Sequence, residues 1–405
     1  MEPRDPTAEN QTVSSGVPWR VQIAVYATGA FSHSLNTMAN VAIPLWIVAL
    51  DTPPALVGLT LGARYILLVV LSIHGGALMD RMGVRRTMIV LGIAGVVLHM
   101  AYPLLPWLGP LILLQAAAGF AGAAGWLGSQ VFIGQYMKGS ATYTGRLSFS
   151  LRVCALIGPP VVGIAWDETG PWGAFAVLAL WAAAGLLAAI ALPRDPALAA
   201  RGRASDILPR WRDYADAMRL LLVPAIALVV AVTVIRHSAV AVQQSFYVVW
   251  LDQIGTSGVR IGLLMSAWAI LGSIASLTAG RLARLFADHW LVIFTVTAQI
   301  VLISATPLLP NYGALLVAMA LYGGMMGVSQ PLMISLMTRR TEKGHQGKSA
   351  GLRATANQVA SAIMPLVMGL IAAAAGLEAS FYIVGAALLA AMVLVTVMLL
   401  RNRAP

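Results

Sequence analysis

Long apolar stretches alternate along the chain with short polar connections. Each stretch holds about 20 predominantly apolar residues, the length that a helix needs to cross the hydrocarbon core of a bilayer. The runs are continuous and do not alternate residue by residue, as the strands of a membrane barrel would. We therefore predict an all-α membrane protein with twelve transmembrane helices, called spans 1 to 12. Their approximate extents are 20–49, 56–78, 87–105, 109–136, 146–166, 172–193, 222–250, 259–280, 290–308, 313–337, 351–375 and 379–400.

Composition and charge agree with a protein embedded in the lipid bilayer along most of its length. Hydrophobic residues make up 59% of the 405 residues and charged residues only 10%, against about 25% in soluble domains. The formal charge of +11 would suit a nucleic-acid partner, but 22 of the 26 Lys and Arg fall on one side of the predicted spans. Such basic residues mark the cytoplasmic side. We predict no nucleic-acid partner and a multi-pass inner (plasma) membrane protein with both termini in the cytoplasm.

The two halves of the sequence repeat each other. Residues of the same type coincide at an offset of 204 positions, and of 206 positions later in each half. The coinciding pairs include His33 and His237, Trp46 and Trp250, Gly58 and Gly262, Pro159 and Pro365, and Gly163 and Gly369. A parallel repeat of this kind predicts two pseudo-symmetric six-helix bundles, with a substrate site between them near the middle of the membrane.

A polar, Pro-flanked segment separates the halves, and apolar residues recur in it at helical spacing from Leu208 to Met218. This spacing predicts an amphipathic helix on the membrane surface; a plain linker is the alternative. The predicted units are a disordered cytoplasmic N-terminus (1–19), an N-terminal bundle (20–193), a cytoplasmic linker with an amphipathic helix (194–219), a C-terminal bundle (220–400) and a cytoplasmic tail (401–405).

A short, highly charged connection joins spans 2 and 3. It reads Gly-x-x-x-Asp-Arg-x-Gly-x-Arg-Arg, and it resembles the signature loop of the major facilitator superfamily, whose members are twelve-helix secondary transporters. In that family the loop's Asp meets the N-terminal end of the eleventh helix and keeps the inner side closed. By this resemblance Asp80 is a gating residue with Arg81 and Arg85 as its charge partners. The other gating residues predicted in the loop are Gly76, Gly83 and Arg86.

Span 5 carries a Gly-Pro pair, Gly158 and Pro159, which resembles the antiporter motif of exporters in the same superfamily. Cys154 and Val162 stand where that motif has glycines, so the match is partial. Gly and Pro would let the helix bend and pack tightly against a neighbour. Both residues are therefore predicted to take part in gating, and export is the favoured direction.

The spans lack the groups that drug–proton exporters use for coupling. Those exporters place an Arg four residues before a Gly in span 4, whereas this chain has Gln115 ahead of Gly119. None of the 15 Asp and Glu residues falls inside a predicted span. A carboxylate that exchanges a proton for a cationic substrate is therefore missing from the predicted spans.

Basic and neutral polar groups occupy the spans instead. His33, Asn36 and Asn40 share one face of span 1 because they are three and four residues apart. Arg236 lies at mid-membrane depth in span 7, where an unpaired Arg costs about 2.5–3.5 kcal/mol, so it predicts a functional cavity. Arg64 and Arg152 could instead extend to the membrane surfaces, and His99 is expected at an interface. The predicted substrate-binding residues are His33, Asn36, Asn40, Arg64, Trp126, Gln130, Arg152, Arg236, His237, Gln243, Tyr322, Gln330 and Asn357.

These residues predict a monomeric secondary transporter that moves a small organic anion or zwitterion by alternating access, as an exporter or antiporter. An Arg binds carboxylate or phosphate through two parallel hydrogen bonds. A proton could be exchanged through His33 and His237, or a counter-anion could be exchanged instead. The alternative is a multidrug–proton antiporter that holds amphipathic compounds with Trp126, Trp268 and Tyr322. A membrane enzyme is disfavoured because the sequence shows no nucleophile-and-base pair, metal-ligand cluster or phosphate loop. A receptor is disfavoured because it would not require the gating loop and the paired Gly-Pro helices. No cofactor is predicted.

Overall fold

A computed structural model of the chain describes residues 17–137, 140–194, 218–309, 311–340 and 346–401. Within these residues the chain is helical, and we number the α-helices in chain order. They are α1 (Trp19–Ala49), α2 (Pro54–Met82), α3 (Val84–Leu104), α4 (Leu108–Gln135), α5 (Ala141–Ile190), α6 (Pro224–Gln244), α7 (Phe246–Gln253), α8 (Gly258–Leu285), α9 (Asp288–Ser304), α10 (Tyr312–Arg340), α11 (Gln346–Ala375) and α12 (Leu377–Arg401). Two short 3₁₀ helices, Leu220–Leu222 and Thr306–Leu308, precede α6 and follow α9.

The twelve predicted spans are present, although two of their boundaries differ from the sequence reading. Helix α5 covers spans 5 and 6 without a loop, because Gly170 (φ 66°, ψ −159°) redirects the chain inside it. Positive φ is tolerated by glycine alone at little cost. Span 7 is instead divided into α6 and α7 at Ser245 (φ −128°, ψ −88°). Among the described helices, eight are long and apolar enough to cross a membrane, and Pro54–Val70 and Asp288–Ser304 are shorter apolar stretches.

The charged connection between spans 2 and 3 is far shorter than the sequence indicated. We expected span 2 to end at residue 78 and span 3 to start at residue 87, but α2 continues to Met82 and α3 starts at Val84. Gly83 alone makes the turn, with φ 79°. A residue with a Cβ would be strained at this φ, which explains why a glycine stands there. The charged residues around it therefore lie on helix ends.

Each half of the chain packs as its own group of helices. In the first half α1 lies against α4 and α5, and α3 against α4 and α5. In the second half α8 lies against α10, α9 against α10 and α12, and α6 against α11. The two groups are the six-helix bundles of the predicted fold. The predicted linker lies mostly outside the described residues, and the exact division of the chain at residues 194–219 stays a prediction.

Two helix pairs make the main contacts between the bundles, α2 with α11 and α5 with α8. Both pairs approach closely through glycines. A Cβ at Gly58 would lie less than 3.0 Å from the carbonyl oxygen of Pro365, and a Cβ at Gly262 would lie as close to that of Pro159. Small residues allow this kind of backbone approach between membrane helices.

The glycine contacts follow the sequence repeat. Gly58 and Pro365 in one pair correspond to Gly262 and Pro159 in the other, at the offsets that the sequence predicts. A second contact repeats in the same way, because a Cβ at Gly369 would collide with the carbonyl oxygen of Pro54 and one at Gly163 with that of Gly258. The repeat therefore encodes two equivalent seams between the bundles. We call the end of the molecule where these contacts lie the outer end, following the predicted orientation.

Candidate functional site

A buried cation of the N-terminal bundle lies in the middle of the molecule. Arg64 on α2 is 6% exposed, and its guanidinium donates a hydrogen bond to Oδ1 of Asn36 on α1. Its backbone and Cγ lie directly against Gly119 on α4, so no larger residue fits at position 119. Arg64 thus points into the bundle and does not extend to the outer surface.

The surroundings of Arg64 reach across to the other bundle. The Tyr65 hydroxyl donates to Oε1 of Gln244 over 3.4 Å, and this bond links α2 to α6. A small cavity of about 10 Å³ lies between the bundles, which is roughly the space one water molecule needs. Its lining includes Asn40, Arg64, Tyr65, Gln115, Gln244 and Ser245. The conformation described here is therefore closed around this polar region.

A second buried cation lies in the C-terminal bundle. Arg236 on α6 is 3% exposed, and its Nε and Nη1 atoms have no hydrogen-bond partner among the described residues. Each described Asp and Glu lies outside a helix or within three residues of a helix end or of the break at Gly170. A carboxylate at the depth of Arg236 is thus missing from the described part of the chain. Leaving a buried donor unsatisfied costs about 1–3 kcal/mol, and more for a charged group.

Further unsatisfied polar atoms lie in the same bundle as Arg236. Tyr322 on α10 and Arg353 on α11 lie within electrostatic range of the guanidinium. The Tyr322 hydroxyl is fully buried without a partner, as are Oδ1 of Asn357 and the hydroxyl of Ser361 on α11. Nδ1 of His237 and Nε1 of Trp268 are also buried without a hydrogen-bond partner. The C-terminal bundle thus holds a set of polar groups that lack partners within the described chain.

The predicted polar face of α1 is distributed over different partners. Asn36 binds Arg64, Asn40 borders the small cavity, and His33 is half-buried beside α5 and within electrostatic range of Arg152. Arg152 donates a hydrogen bond to the Ser276 hydroxyl on α8 over 3.2 Å. This bond crosses between the bundles, so Arg152 lies at the bundle interface and does not only extend to the inner surface.

Several other predicted binding residues lie apart from these clusters. Trp126, Gln130 and Gln330 are exposed, and no described hydrogen bond ties them to either buried arginine. Gln243 is buried, with its amide nitrogen 3.0 Å from the sulfur of Met265 and its Oε1 unpaired. The structure thus groups Asn36, Asn40 and Arg64 in one bundle and Arg236, His237, Tyr322 and Asn357 in the other.

We expected His99 at the membrane–water interface, and this prediction is wrong. His99 is 2% exposed, its Nδ1 lies 2.6 Å from the carbonyl oxygen of Gly95, and its Nε2 is unpaired. The Tyr102 hydroxyl donates to Oε1 of Gln115 over 3.0 Å. Gln115, which stands where exporters carry an Arg, therefore belongs to a buried polar layer of α3 and α4. This layer produces no periodic pattern in the sequence because its residues lie on different helices.

The structure describes the side chains of only some of the predicted gating residues. Arg85 donates to the carbonyl oxygens of Leu192 (2.7 Å) and Ile190 (2.6 Å), so its described partners lie at the C-terminal end of α5, where a cation also suits the helix dipole. Arg86 is exposed. The side chains of Gly76, Asp80 and Arg81 lie outside the described residues, and so does the predicted contact of Asp80 with the eleventh helix.

The Gly-Pro pair of span 5 lies within an unbroken stretch of α5. Gly158 and Pro159 keep helical φ and ψ angles, and the residue with non-helical angles inside α5 is Gly170, at the start of span 6. A bend at the Gly-Pro pair stays a prediction. The predicted tight packing is present. A Cβ at Gly158 would lie 2.8 Å from Cγ of Met38, and the Pro159 carbonyl faces Gly262 across the bundle interface.

A carboxylate that we expected in a loop forms two hydrogen bonds between the bundles. Asp167 on α5 accepts hydrogen bonds from the backbone N–H of Gly258 (2.7 Å) and of Val259 (2.9 Å), at the N-terminal end of α8. The residue carries no motif, and only the distance between α5 and α8 reveals its role.

Comparison with known proteins agrees with this architecture. The chain is 22% identical over 347 residues to the enterobactin exporter EntS of Salmonella paratyphi A and to that of Salmonella choleraesuis, covering 82% of this chain and 81% of each relative. Among solved structures it is similar to a mutant of the nucleoside transporter NupG, with a TM-score of 0.80, 12% identity, and coverage of 94% of this chain and 99% of NupG. It is also similar to a second structure of NupG, with a TM-score of 0.73, 14% identity, and coverage of 94% and 98%.

The sequence also matches a family model over two overlapping ranges. Residues 25–251 and residues 229–405 each match the Major Facilitator Superfamily. Together the two matches include both helical bundles. The protein is therefore a multi-pass membrane protein that belongs to the Major Facilitator Superfamily of transporters.

Proposed function

We propose that this transporter exports a small organic anion or zwitterion by alternating access, with Arg236 as the group that receives the negative charge. The observation that carries the proposal is a guanidinium at mid-membrane depth with two unpaired nitrogens and no carboxylate nearby in the described chain. Arg236 is 12 residues from the start of α6, about 18 Å along the helix at 1.5 Å per residue. The missing partner of the buried cation is then the substrate itself.

The export direction rests on relatives and on a motif. The curated relatives are named as exporters, and the Gly-Pro pair of α5 resembles that of antiporters in the family. Because carboxylates are missing at mid-membrane depth in the described helices, an exchanged proton would be carried by His33 or His237, or else a counter-anion would be exchanged. The proposal includes a monomer in the inner membrane with both termini in the cytoplasm, as the distribution of basic residues predicts.

A screen of the purified protein tests the proposal. Thermal stability would be recorded in the presence of organic acids, amino acids, nucleosides and permanently cationic drugs, since a ligand that binds the folded state raises the melting temperature. We expect stabilisation by acids or zwitterions that is lost in Arg236→Gln. Stabilisation by cationic drugs alone would favour the alternative function, a multidrug–proton antiporter in which Trp268 and Tyr322 supply aromatic contacts.

A further inference from the structure

The unpaired polar atoms of the C-terminal bundle indicate which hydrogen-bonding groups a ligand needs in addition to its negative charge. Nε and Nη1 of Arg236 and Nε1 of Trp268 can only donate hydrogen bonds, whereas Oδ1 of Asn357 can only accept one. The hydroxyls of Tyr322 and Ser361 can do either. A ligand that satisfies this set must offer several acceptors and at least one donor.

Arg236 and Asn357 lie at a similar depth on helices that touch. Arg236 is 12 residues from the start of α6 and Asn357 is 11 residues from the start of α11, and both helices begin at the inner end in the predicted orientation, so each residue lies about 16–18 Å along its helix. Tyr322 lies within electrostatic range of Arg236, and the carbonyl oxygen of Trp268 lies against Gly323, the neighbour of Tyr322. Helix α6 packs against α10 and α11, and α8 packs against α10. Asn357 is one helical turn from Arg353, whose charge interacts with Arg236, so Asn357 lies on the same face of α11.

We propose that the transported anion carries a hydrogen-bond donor, such as a hydroxyl group, next to its anionic group, and that Asn357 selects for this donor. This inference rests on the proposed function, because it assigns a second contact within the same site. Arg236 binds the anion, and Asn357 accepts from the hydroxyl. A ligand without the donor leaves the buried Asn357 oxygen unpaired, and sites built in this way discriminate strongly against such analogues.

Three related carboxylates test the inference with the purified full-length protein. Benzoate, 3-hydroxybenzoate and 3-methoxybenzoate are monoanions at neutral pH and differ in whether they offer a donor. Benzylammonium is the cation of similar size. Their binding to the wild-type protein would be measured by calorimetry. We expect 3-hydroxybenzoate to bind at least about fivefold more tightly than the other two carboxylates, as one neutral hydrogen bond is worth about 1 kcal/mol.

Two variants separate this inference from the proposed function. Asn357→Leu should abolish the preference for the hydroxylated acid, whereas Gln358→Leu, one residue further along α11, should retain it. Arg236→Gln should weaken all three carboxylates alike. Equal binding of the three acids to the wild-type protein would overturn the inference and leave the proposed function standing. Binding of benzylammonium without any of the carboxylates would overturn the proposed function itself.

A second inference rests on a different contact, at the outer end of the molecule. The Asp167 carboxylate accepts two backbone N–H bonds at the first turn of α8, one with each oxygen. The first amides of a helix lack partners within the helix and carry partial positive charge, so an anion stabilises them. Because α5 and α8 belong to different bundles, the bonds hold the two bundles together.

The equivalent seam of the molecule lacks this contact. There α2 begins at Pro54, which has no N–H to donate, and the residue that corresponds to Asp167 at the offset of 206 is Ala373. The glycine contacts are present in both seams, whereas the carboxylate is present in one. The bonds of Asp167 therefore add to the α5–α8 seam a polar link that the equivalent seam lacks.

We infer that Asp167 is an outer latch, which stabilises the state closed to the outside and must release α8 before the outer end opens. It would do at the outer face what the family resemblance expects of Asp80 at the inner face, where a carboxylate meets the start of α11. The two latches would then stabilise opposite states of the transport cycle. The inference does not depend on the identity of the substrate.

Distance measurements between spin labels test the latch. Labels at Gly109→Cys and Gln253→Cys, in a Cys154→Ala background, report the separation of the bundles at their outer ends. Both positions are exposed, and a Cβ at Gly109 meets no atom within 4 Å. We expect Asp167→Ala to broaden the distance distribution towards longer distances, and Asp167→Asn, which keeps one acceptor, to do so less.

The neighbouring carboxylate supplies the control. Glu168 is also exposed at the outer end of α5, and Glu168→Gln should leave the distances unchanged. If Asp167→Ala destabilises the protein, Asp167→Asn preserves the size of the side chain and still reports the effect. Distances in the folded Asp167 variants that match those of the wild-type protein would overturn the latch.

Discussion

The glycine contacts between α2 and α11 lead to a quantitative prediction about the transport cycle. A Cβ at Gly58 would lie less than 3.0 Å from the Pro365 carbonyl oxygen, whereas ordinary contacts begin near 3.4 Å. Gly58→Ala therefore forces the outer ends of the two helices apart by at least several tenths of an ångström. Because both sides of the contact are backbone, no side chain can move away to relieve the collision.

The magnitude follows from the cost of overpacking. An extra methyl group in a tightly packed contact costs about 1–3 kcal/mol. We expect the collision only in the state closed to the outside, so this cost should shift the equilibrium towards the outward-open state by roughly 5- to 150-fold. Helix α2 itself should tolerate the change, since alanine is a better helix former than glycine.

The assay is the reactivity of a cysteine inside the closed cavity. Asn40 borders that cavity, so Asn40→Cys in a Cys154→Ala background should react slowly with a membrane-impermeant thiol reagent added outside. Gly58→Ala should accelerate the reaction by the same roughly 5- to 150-fold factor. Gly95→Ala is the matched control, because a Cβ there meets no atom within 4 Å. Equal reaction rates for Gly58→Ala and the control would refute the role of the contact.

Three further predictions concern charge and orientation. Arg236→Gln should weaken binding of an acidic substrate about ten- to hundredfold in an equilibrium binding measurement. Arg236→Lys should restore only part of this affinity, because lysine keeps the charge but lacks the planar guanidinium. Unchanged anion binding in Arg236→Gln would contradict the assignment. Asp80→Asn should reduce transport severely while expression and folding persist, and turnover equal to that of the wild type in the folded variant would exclude the gating role. In a Cys154→Ala background, a cysteine at Arg194 should react with a thiol reagent only from the cytoplasm, and a cysteine at Gln253 only from outside. The reverse pattern would invert the predicted topology.

The fold could be predicted from the sequence because its main determinants are local. Apolar length located the spans, and the repeat of Gly58 in Gly262 and of Pro159 in Pro365 marked the residues that now form the two seams. The helix boundaries were less accurate. Gly170 and Ser245 differ from their neighbours in backbone conformation, which hydropathy does not record. The turn between spans 2 and 3 needs only one residue, Gly83.

The candidate site was predictable only for residues that are costly in a membrane. Arg236 and Arg64 were identified because a charge within a span requires a reason. Their partners were not, since Asn36 reaches Arg64 from another helix and the set around Arg236 comes from several helices. Asp167 was missed for the same reason, because its partners are backbone amides 91 and 92 positions away and backbone amides leave no mark in a sequence.

Counterflow in proteoliposomes tests most directly whether the protein is an anion transporter that uses Arg236. Vesicles containing the wild-type protein and preloaded with an unlabelled organic acid should accumulate the same labelled acid from outside without any other driving force. Arg236→Gln vesicles with equal protein content should require about ten- to hundredfold more acid for half-maximal exchange. Exchange of cationic drugs in place of acids, or identical acid exchange by wild-type and Arg236→Gln protein, would contradict the account.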